Sequence, residues 1–168
     1  MLRVDIGQLR REGSVLVEAR VPGEDGLWQD SGLAWDGDVD VRLTASFAGT
    51  GEVVVRGTVR GRLSQECRRC LKAVPTDFEG DLTIVFVADG EVGEDWDLYG
   101  FDTSKAVLDL SEAVREELVL AVNPYVVCDP GCRGLCAKCG ADLADTTCDC
   151  TEDEADPRWE ALRALKNE

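Results

Sequence analysis

Eight cysteines and no histidine are the residues of this chain best placed to do chemistry. Cys67 and Cys70 form a C-x2-C in mid-chain. Cys128, Cys132, Cys136, Cys139, Cys148 and Cys150 follow as C-x3-C-x3-C-x2-C-x8-C-x-C. Thiolates at such spacings close around one soft cation, and zinc is the usual one. Four thiolates fill a tetrahedral site, so eight make two closed sites or one site plus spares, and two zinc ions are expected. The absence of histidine excludes Cys2His2 fingers, Ser-His-Asp and Cys-His catalysis, and HExxH metalloproteases.

Cys136 and Cys139, followed by Gly140, have the form of a zinc knuckle. The glycine permits the turn that aims backbone amides at sulfur. Cys148 and Cys150 are near enough to complete that site. By elimination, Cys67, Cys70, Cys128 and Cys132 form the other, although a group of Cys128, Cys132, Cys136 and Cys139 also satisfies the spacing. Closed four-thiolate sites leave no coordination position for substrate, so the metal is expected to be structural and the protein not an enzyme, with no catalytic residue. The C-x2-C and C-x-C spacings also suit a redox-regulated zinc protein, although no flanking residues resemble a thioredoxin site.

The elements that must position these cysteines follow from hydrophobic periodicity. Ile6 and Leu9 mark a short helical turn closed by Gly13, and Val15 to Val21 alternate as a strand. Residues 27–38, with Trp28 and Trp35, read as an irregular loop or weak strand. Val39, Val41, Leu43, Ala45 and Phe47 alternate up to a turn at 49–51. Val53, Val55, Val59 and Leu63 line one face of the return strand. Phe78, Leu82, Ile84 and Phe86 mark a further strand. Residues 89–104 read as an acidic loop. Asp109 or Ser111 caps a helix whose stripe is Val114, Leu118, Ala121 and Val122, and Pro124 stops it. Segment 128–150 has too few apolar residues to fold alone, so metal replaces a core there. Asp156, Pro157, Trp159, Leu162 and Leu165 read as a capped terminal helix. The fold class is therefore α+β: an antiparallel β core with one central helix, residues 1–127, and a cysteine-rich, zinc-bound module ending in a helix, residues 128–168.

The formal charge is −16 over 168 residues. Residues 73–127 hold 13 acids against Lys105 and Arg115. Such a field repels phosphate and favours a basic partner, although acids also serve solubility. Asp95, Trp96, Asp97, Tyr99, Phe101 and Asp102 interleave carboxylates with rings and are the candidate protein-binding residues. Against this background, Arg56, Arg60 and Arg62 share one strand face, and Arg68, Arg69 and Lys72 follow. Arginine suits phosphate, so these six are the candidate RNA-binding residues; the alternative is that they pair with the chain's own carboxylates. No apolar run reaches the length of a membrane span and no apolar leader is evident at Met1 to Asp5, so a cytoplasmic protein is expected, without a small-molecule substrate.

Four stretches carry a resemblance. Gly57 to Leu71, with its Cys67-Arg68-Arg69-Cys70, is the first, and the helix Asp109 to Leu120 is the second. Cys132-Arg133-Gly134-Leu135-Cys136-Ala137-Lys138-Cys139-Gly140-Ala141-Asp142-Leu143 is the third, and Asp156-Pro157-Arg158-Trp159 to Lys166 is the last. Together they resemble the bacterial YceD-like family, the large ribosomal RNA subunit accumulation proteins, over nearly the whole chain. The resemblance implies a non-enzymatic role in ribosome biogenesis, in accumulation of large-subunit ribosomal RNA. Taken with the charge pattern, the expected partner is a basic large-subunit ribosomal protein or a pre-ribosomal particle, which the net charge favours, or else ribosomal RNA itself, which the arginines favour.

Overall fold

The alternation of valine and leucine with polar residues builds a five-stranded sheet with one apolar face. In the computed structural model, which describes residues 2–49, 51–88 and 98–150, β1 (Arg3–Asp5) leads into α1 (Ile6–Glu12) and β2 (Ser14–Val21). Then come β3 (Val39–Ala48), β4 (Glu52–Glu66), β5 (Ala73–Ala88), β6 (Leu98–Phe101), β7 (Val107–Asp109) and α2 (Ser111–Ala121). The main sheet has the order β2-β3-β4-β5-β6, antiparallel except for the parallel β5–β6 pair, and β1 pairs with β7 separately. The antiparallel core and central helix are as the periodicity predicts.

One sheet face presents Val17, Val41, Leu43, Val55, Val59 and Ile84, all buried. Ile6 and Leu9 of α1, Val114 and Leu118 of α2, and Trp28 and Trp35 join the same core. Burying each such side chain is favourable by about 1.5–3 kcal/mol. Asp5 caps α1 by accepting from the Gln8 N–H, and Gly13 ends it at φ +79. At the head of α2, Asp109 rather than Ser111 supplies the polar turn, its carboxylate accepting from the Ser111 N–H at 3.0 Å.

Two readings change, and the reading of 27–38 as loop or weak strand resolves toward a strand at 34–36. Residues 98–101 lie within the stretch read as a loop, yet they form β6, pairing with Val85 to Ala88. β5 begins at Ala73, ahead of Phe78. Segment 34–36 extends the sheet: Asp36 N–H donates to the Arg62 carbonyl at 2.7 Å and Ser64 N–H to that of Ala34 at 2.8 Å. Trp35 thereby lies over Gly61, where a Cβ would sit 2.8 Å from the indole ring, so glycine makes the room. The terminal helix expected from Asp156 onward lies outside the described residues.

The β4–β5 pair is the element that matters for the cysteines. Its register runs unbroken from Val53↔Phe86 to Glu66↔Ala73, well past the end of β3. It therefore carries Cys67 and Cys70 on a two-stranded ribbon that extends beyond the neighbouring strand.

Candidate metal centres

At the ribbon's tip the chain turns tightly. Cys67 N–H donates to the Lys72 carbonyl at 2.8 Å, and Leu71 N–H to the Cys67 carbonyl at 2.9 Å. Leu71 takes a left-handed backbone, φ +62. The Arg69 amide points at the Cys67 sulfur, 3.4 Å away. The same turn recurs later: Cys136 N–H donates to the Ala141 carbonyl at 2.8 Å, Gly140 N–H to that of Cys136 at 2.9 Å, and Gly140 has φ +72. Two copies of one knuckle are present, with glycine at the left-handed position in one and leucine in the other.

After α2 the chain returns to the ribbon tip. Arg68 N–H donates to the Val126 carbonyl at 2.9 Å. This brings Cys128 and Cys132 to the first knuckle, with Cys70 and Cys128 sulfurs 3.5 Å apart and those of Cys67 and Cys132 3.9 Å apart. Zinc–sulfur bonds of about 2.3 Å arranged tetrahedrally require sulfurs about 3.8 Å apart. The sulfurs of Cys67, Cys70, Cys128 and Cys132 all lie within 4.8 Å of one another, and so do those of Cys136, Cys139, Cys148 and Cys150. The two groups are those reached from spacing and elimination, and both donor sets fit a tetrahedral thiophilic cation. The boundary drawn between residues 127 and 128 runs through the first of them.

The centres differ in exposure. Cys67, Cys70 and Cys132 are buried and Cys128 exposed; Cys139 and Cys150 are exposed and Cys136 and Cys148 half-buried. The Cys128 amide, opposed by burial and aided by the amides of Cys70 and Arg69, draws the Cys67 thiol down to about 6. The amides of Cys139 and Lys138 bring Cys136 likewise to about 6. Each charged thiolate makes the next harder to ionise: Cys70 and Cys132 push Cys128 up to about 12, and Cys139 and Cys136 do so to Cys150. Four thiolates this close coexist only around a cation.

Three residues join the centres. Arg69 donates through Nη1 to the Cys132 carbonyl at 2.8 Å and the Pro130 carbonyl at 3.2 Å, while its own carbonyl accepts from Leu135 N–H at 3.1 Å. Gly134, φ +76, passes so near that a Cβ would stand 2.9 Å from the Arg69 oxygen. The Lys72 ammonium lies 2.7 Å from Asp142 and 2.9 Å from Asp145. Sequence reasoning missed the parts of Asp142, Asp145 and Gly134; the one signal available was the repetition of C-x2-C at two sites that had to be clasped together.

The six basic candidates do not form one open strip. Arg60 bonds Glu79 at 2.6 Å, and Arg62 lies 3.4 Å from Asp77. Arg69 and Lys72 brace the centres as above, and Arg68 lies over the Tyr125 ring at 5.5 Å. Arg56 is exposed, between Thr44 and Thr83 on the adjoining strands. The neighbouring rows of this open face are paired as well, Arg20 with Asp38 and Asp40, and Arg42 with Glu18.

Of the protein-binding candidates, Phe101 is buried in the core. Tyr99 packs on Phe86, its hydroxyl 3.3 Å from Glu117. Asp102 accepts from both the Ser104 N–H and hydroxyl. Asp95, Trp96 and Asp97 lie outside the described residues.

Residues 55–166 match the family described as large ribosomal RNA subunit accumulation protein YceD. The chain is 31% identical to an uncharacterized protein of Mycobacterium tuberculosis (strain H37Rv) over 172 aligned residues, covering 96% of this chain and 79% of that one. It is 32% identical to the large ribosomal RNA subunit accumulation protein YCED homolog 1, chloroplastic, of Arabidopsis thaliana, over 52% of this chain and 31% of the plant protein. The Zea mays protein of the same name is 36% identical over 45% of this chain and 26% of its own length. The chain thus spans about a third or less of the plant relatives. No solved structure matches it. No helix among the described residues is long and apolar enough to cross a membrane.

Proposed function

The chain belongs to the YceD family of large ribosomal RNA subunit accumulation proteins, and from that premise we propose that it is a non-enzymatic, cytoplasmic ribosome-biogenesis factor that binds a basic protein of the large subunit. Its two four-cysteine clusters hold zinc as structural ions, since all four positions of each tetrahedron are taken by the chain itself.

One observation carries the choice of partner. Half of the six cations that could have formed a phosphate-binding strip face the chain's own carboxylates: Arg60 on Glu79, Arg62 on Asp77, and Lys72 on Asp142 and Asp145. What remains outside is the field of a chain with charge −16. That field repels nucleic acid and steers a cationic protein inward.

The test is capture of partners by the tagged full chain in moderate salt, with and without ribonuclease. A basic large-subunit protein retained after ribonuclease is the expected result. Capture that vanishes with ribonuclease, and is abolished by replacing Arg56, Arg60, Arg62 and Arg68 with alanine, would transfer the role to direct RNA contact.

A further inference from the structure

We infer that the seam between residues 30–34 and the C-terminal half of α2 is the docking surface for a cationic, extended protein segment, with one apolar side chain of that segment seated against Val119 and Leu120. The inference deepens the reading above and rests on it.

α2 is amphipathic in an unusual way. Val114 and Leu118 face the core, while the outward stripe runs Glu112, Glu116, Leu120 at successive four-residue steps. Leu120 is 80% exposed and Val119 41% exposed. Both line a shallow cavity of about 390 Å³ together with Asp30 and Glu116. A second cavity, about 490 Å³, is lined by Leu33 and Ala34 of the same loop, by the end of β4 from Leu63 to Glu66, by Cys67, Arg68 and Leu71 of the first knuckle, and by Val122 and Pro124 just beyond α2. The loop at 30–34 borders both hollows, Asp30 and Ser31 the first and Gly32 to Ala34 the second, which suits a chain laid along it.

The loop wall is fixed before any partner arrives. Asp30 holds a left-handed backbone, φ +59, and the Ser31 hydroxyl and amide both donate to the Trp28 carbonyl, at 2.6 and 3.2 Å. A wall already ordered avoids the entropy of ordering it on binding.

Charge selects the occupant. On the open sheet face the acids Glu18, Asp40, Asp77 and Glu79 are paired with arginine. Among the described residues, Asp30, Glu112 and Glu116 enter no ion pair. Arg115, a cation in the wall of the same hollow, directs its guanidinium to the Gln29 carbonyl at 3.2 Å. An excess of carboxylate, Asp30, Glu112 and Glu116 against Arg115, thus coincides here with exposed aliphatic side chains. A cationic segment bearing one aliphatic residue satisfies both.

The probe is a short, fluorescein-labelled, lysine-rich peptide with a single leucine, compared with the same peptide carrying serine in its place. Anisotropy with the zinc-loaded full chain should show the leucine peptide binding about tenfold more tightly. Leu120→Ser should erase that difference. Asp30→Asn combined with Glu116→Gln should weaken both peptides, and Leu16→Ser, on the open sheet face, should change neither. Amide shifts on titration should fall at residues 30–34 and 115–124. Leu120 is exposed enough that its replacement leaves the fold intact, which metal content and the amide spectrum verify. Shifts confined to the open sheet face, or unchanged affinity in Leu120→Ser, would overturn the assignment. So would concentration-dependent self-association abolished by Leu120→Ser, which would make a second copy the occupant. If the tagged chain still captures a basic large-subunit protein while Leu120→Ser has no effect, this surface is wrong and the function stands. Absence of that protein from wild-type captures sinks the function itself.

Discussion

Leu71 holds a backbone that glycine holds in the sister knuckle, φ +62 against +72 at Gly140. A left-handed leucine is strained by about 1–2 kcal/mol, while glycine adds about 0.5–1 kcal/mol of unfolded-state entropy. Leu71→Gly should therefore be neutral or stabilising by up to about 1 kcal/mol in denaturant titration of the metal-loaded protein. Gly140→Ala is its converse. No atom lies within 4 Å of the new Cβ, so the loss, about 1 kcal/mol, is backbone strain alone and should appear in the second centre. Gly57 is a harder case, since a Cβ there would strike the Arg42 carbonyl and stand 2.8 Å from Leu43 Cα. Gly57→Ala should destabilise by about 3 kcal/mol or more, because the obstacle is the backbone of the adjacent strand. The turn at Gly140 was legible from the Cys-x2-Cys-Gly spacing, but the left-handed Leu71 and the crowding at Gly57 were not. What Gly57 and Gly61 make room for, the Arg42 and Leu43 backbone and the Trp35 ring, comes from residues well separated in sequence.

At the scale of elements, the β4–β5 ribbon and the two knuckles divide the labour. The first centre joins Cys67 and Cys70 to Cys128 and Cys132, closing a long loop around β5, β6, β7 and α2; the second closes only residues 136–150. Their removal should have unequal reach. Cys139→Ser should release about one metal ion and raise hydrogen exchange over roughly 134–150, leaving the sheet protected. Cys70→Ser should also release the first ion and expose the ribbon end, the 124–135 segment and, through Arg69 and Lys72, the second knuckle. Equal exchange patterns in the two variants would show that the clusters do not form a hierarchy. The hairpin β3–β4 and the cysteine grouping were readable because strict alternation and short spacing are local signals. β6 was not, since four residues next to a run of acids carry no periodicity and gain their partner only from β5. β1 and β7 are three-residue strands that exist only because residues 3–5 meet 107–109. The internal pairing of the basic residues was hidden for the same reason: Glu79, Asp77 and Asp145 reach them from other parts of the chain.

For the whole molecule, two electrostatic effects oppose each other, and salt separates them. The ion pairs on the open sheet face are exposed; Arg60 and Glu79, the shortest, have side chains 63% and 62% accessible. Such pairs contribute roughly 0–1 kcal/mol each and are weakened by salt. Against them stands the self-repulsion of 34 acidic side chains facing 18 basic ones. That repulsion acts across the surface and is also weakened by salt, since the screening length falls to about 10 Å at 0.1 M and about 3 Å at 1 M. The excess charge should win. Raising sodium chloride from a few millimolar to about half molar should raise the melting temperature of the metal-loaded protein. The same screening should weaken its hold on a cationic segment, because that attraction is intermolecular and draws on the same unpaired carboxylates. Stability and affinity should thus move in opposite directions along one salt series, measured by calorimetry and by anisotropy on the same samples. A fall in melting temperature would mean that the paired rows of the sheet, not the net charge, dominate the electrostatics. An affinity that ignores salt would mean that apolar contact alone holds the partner.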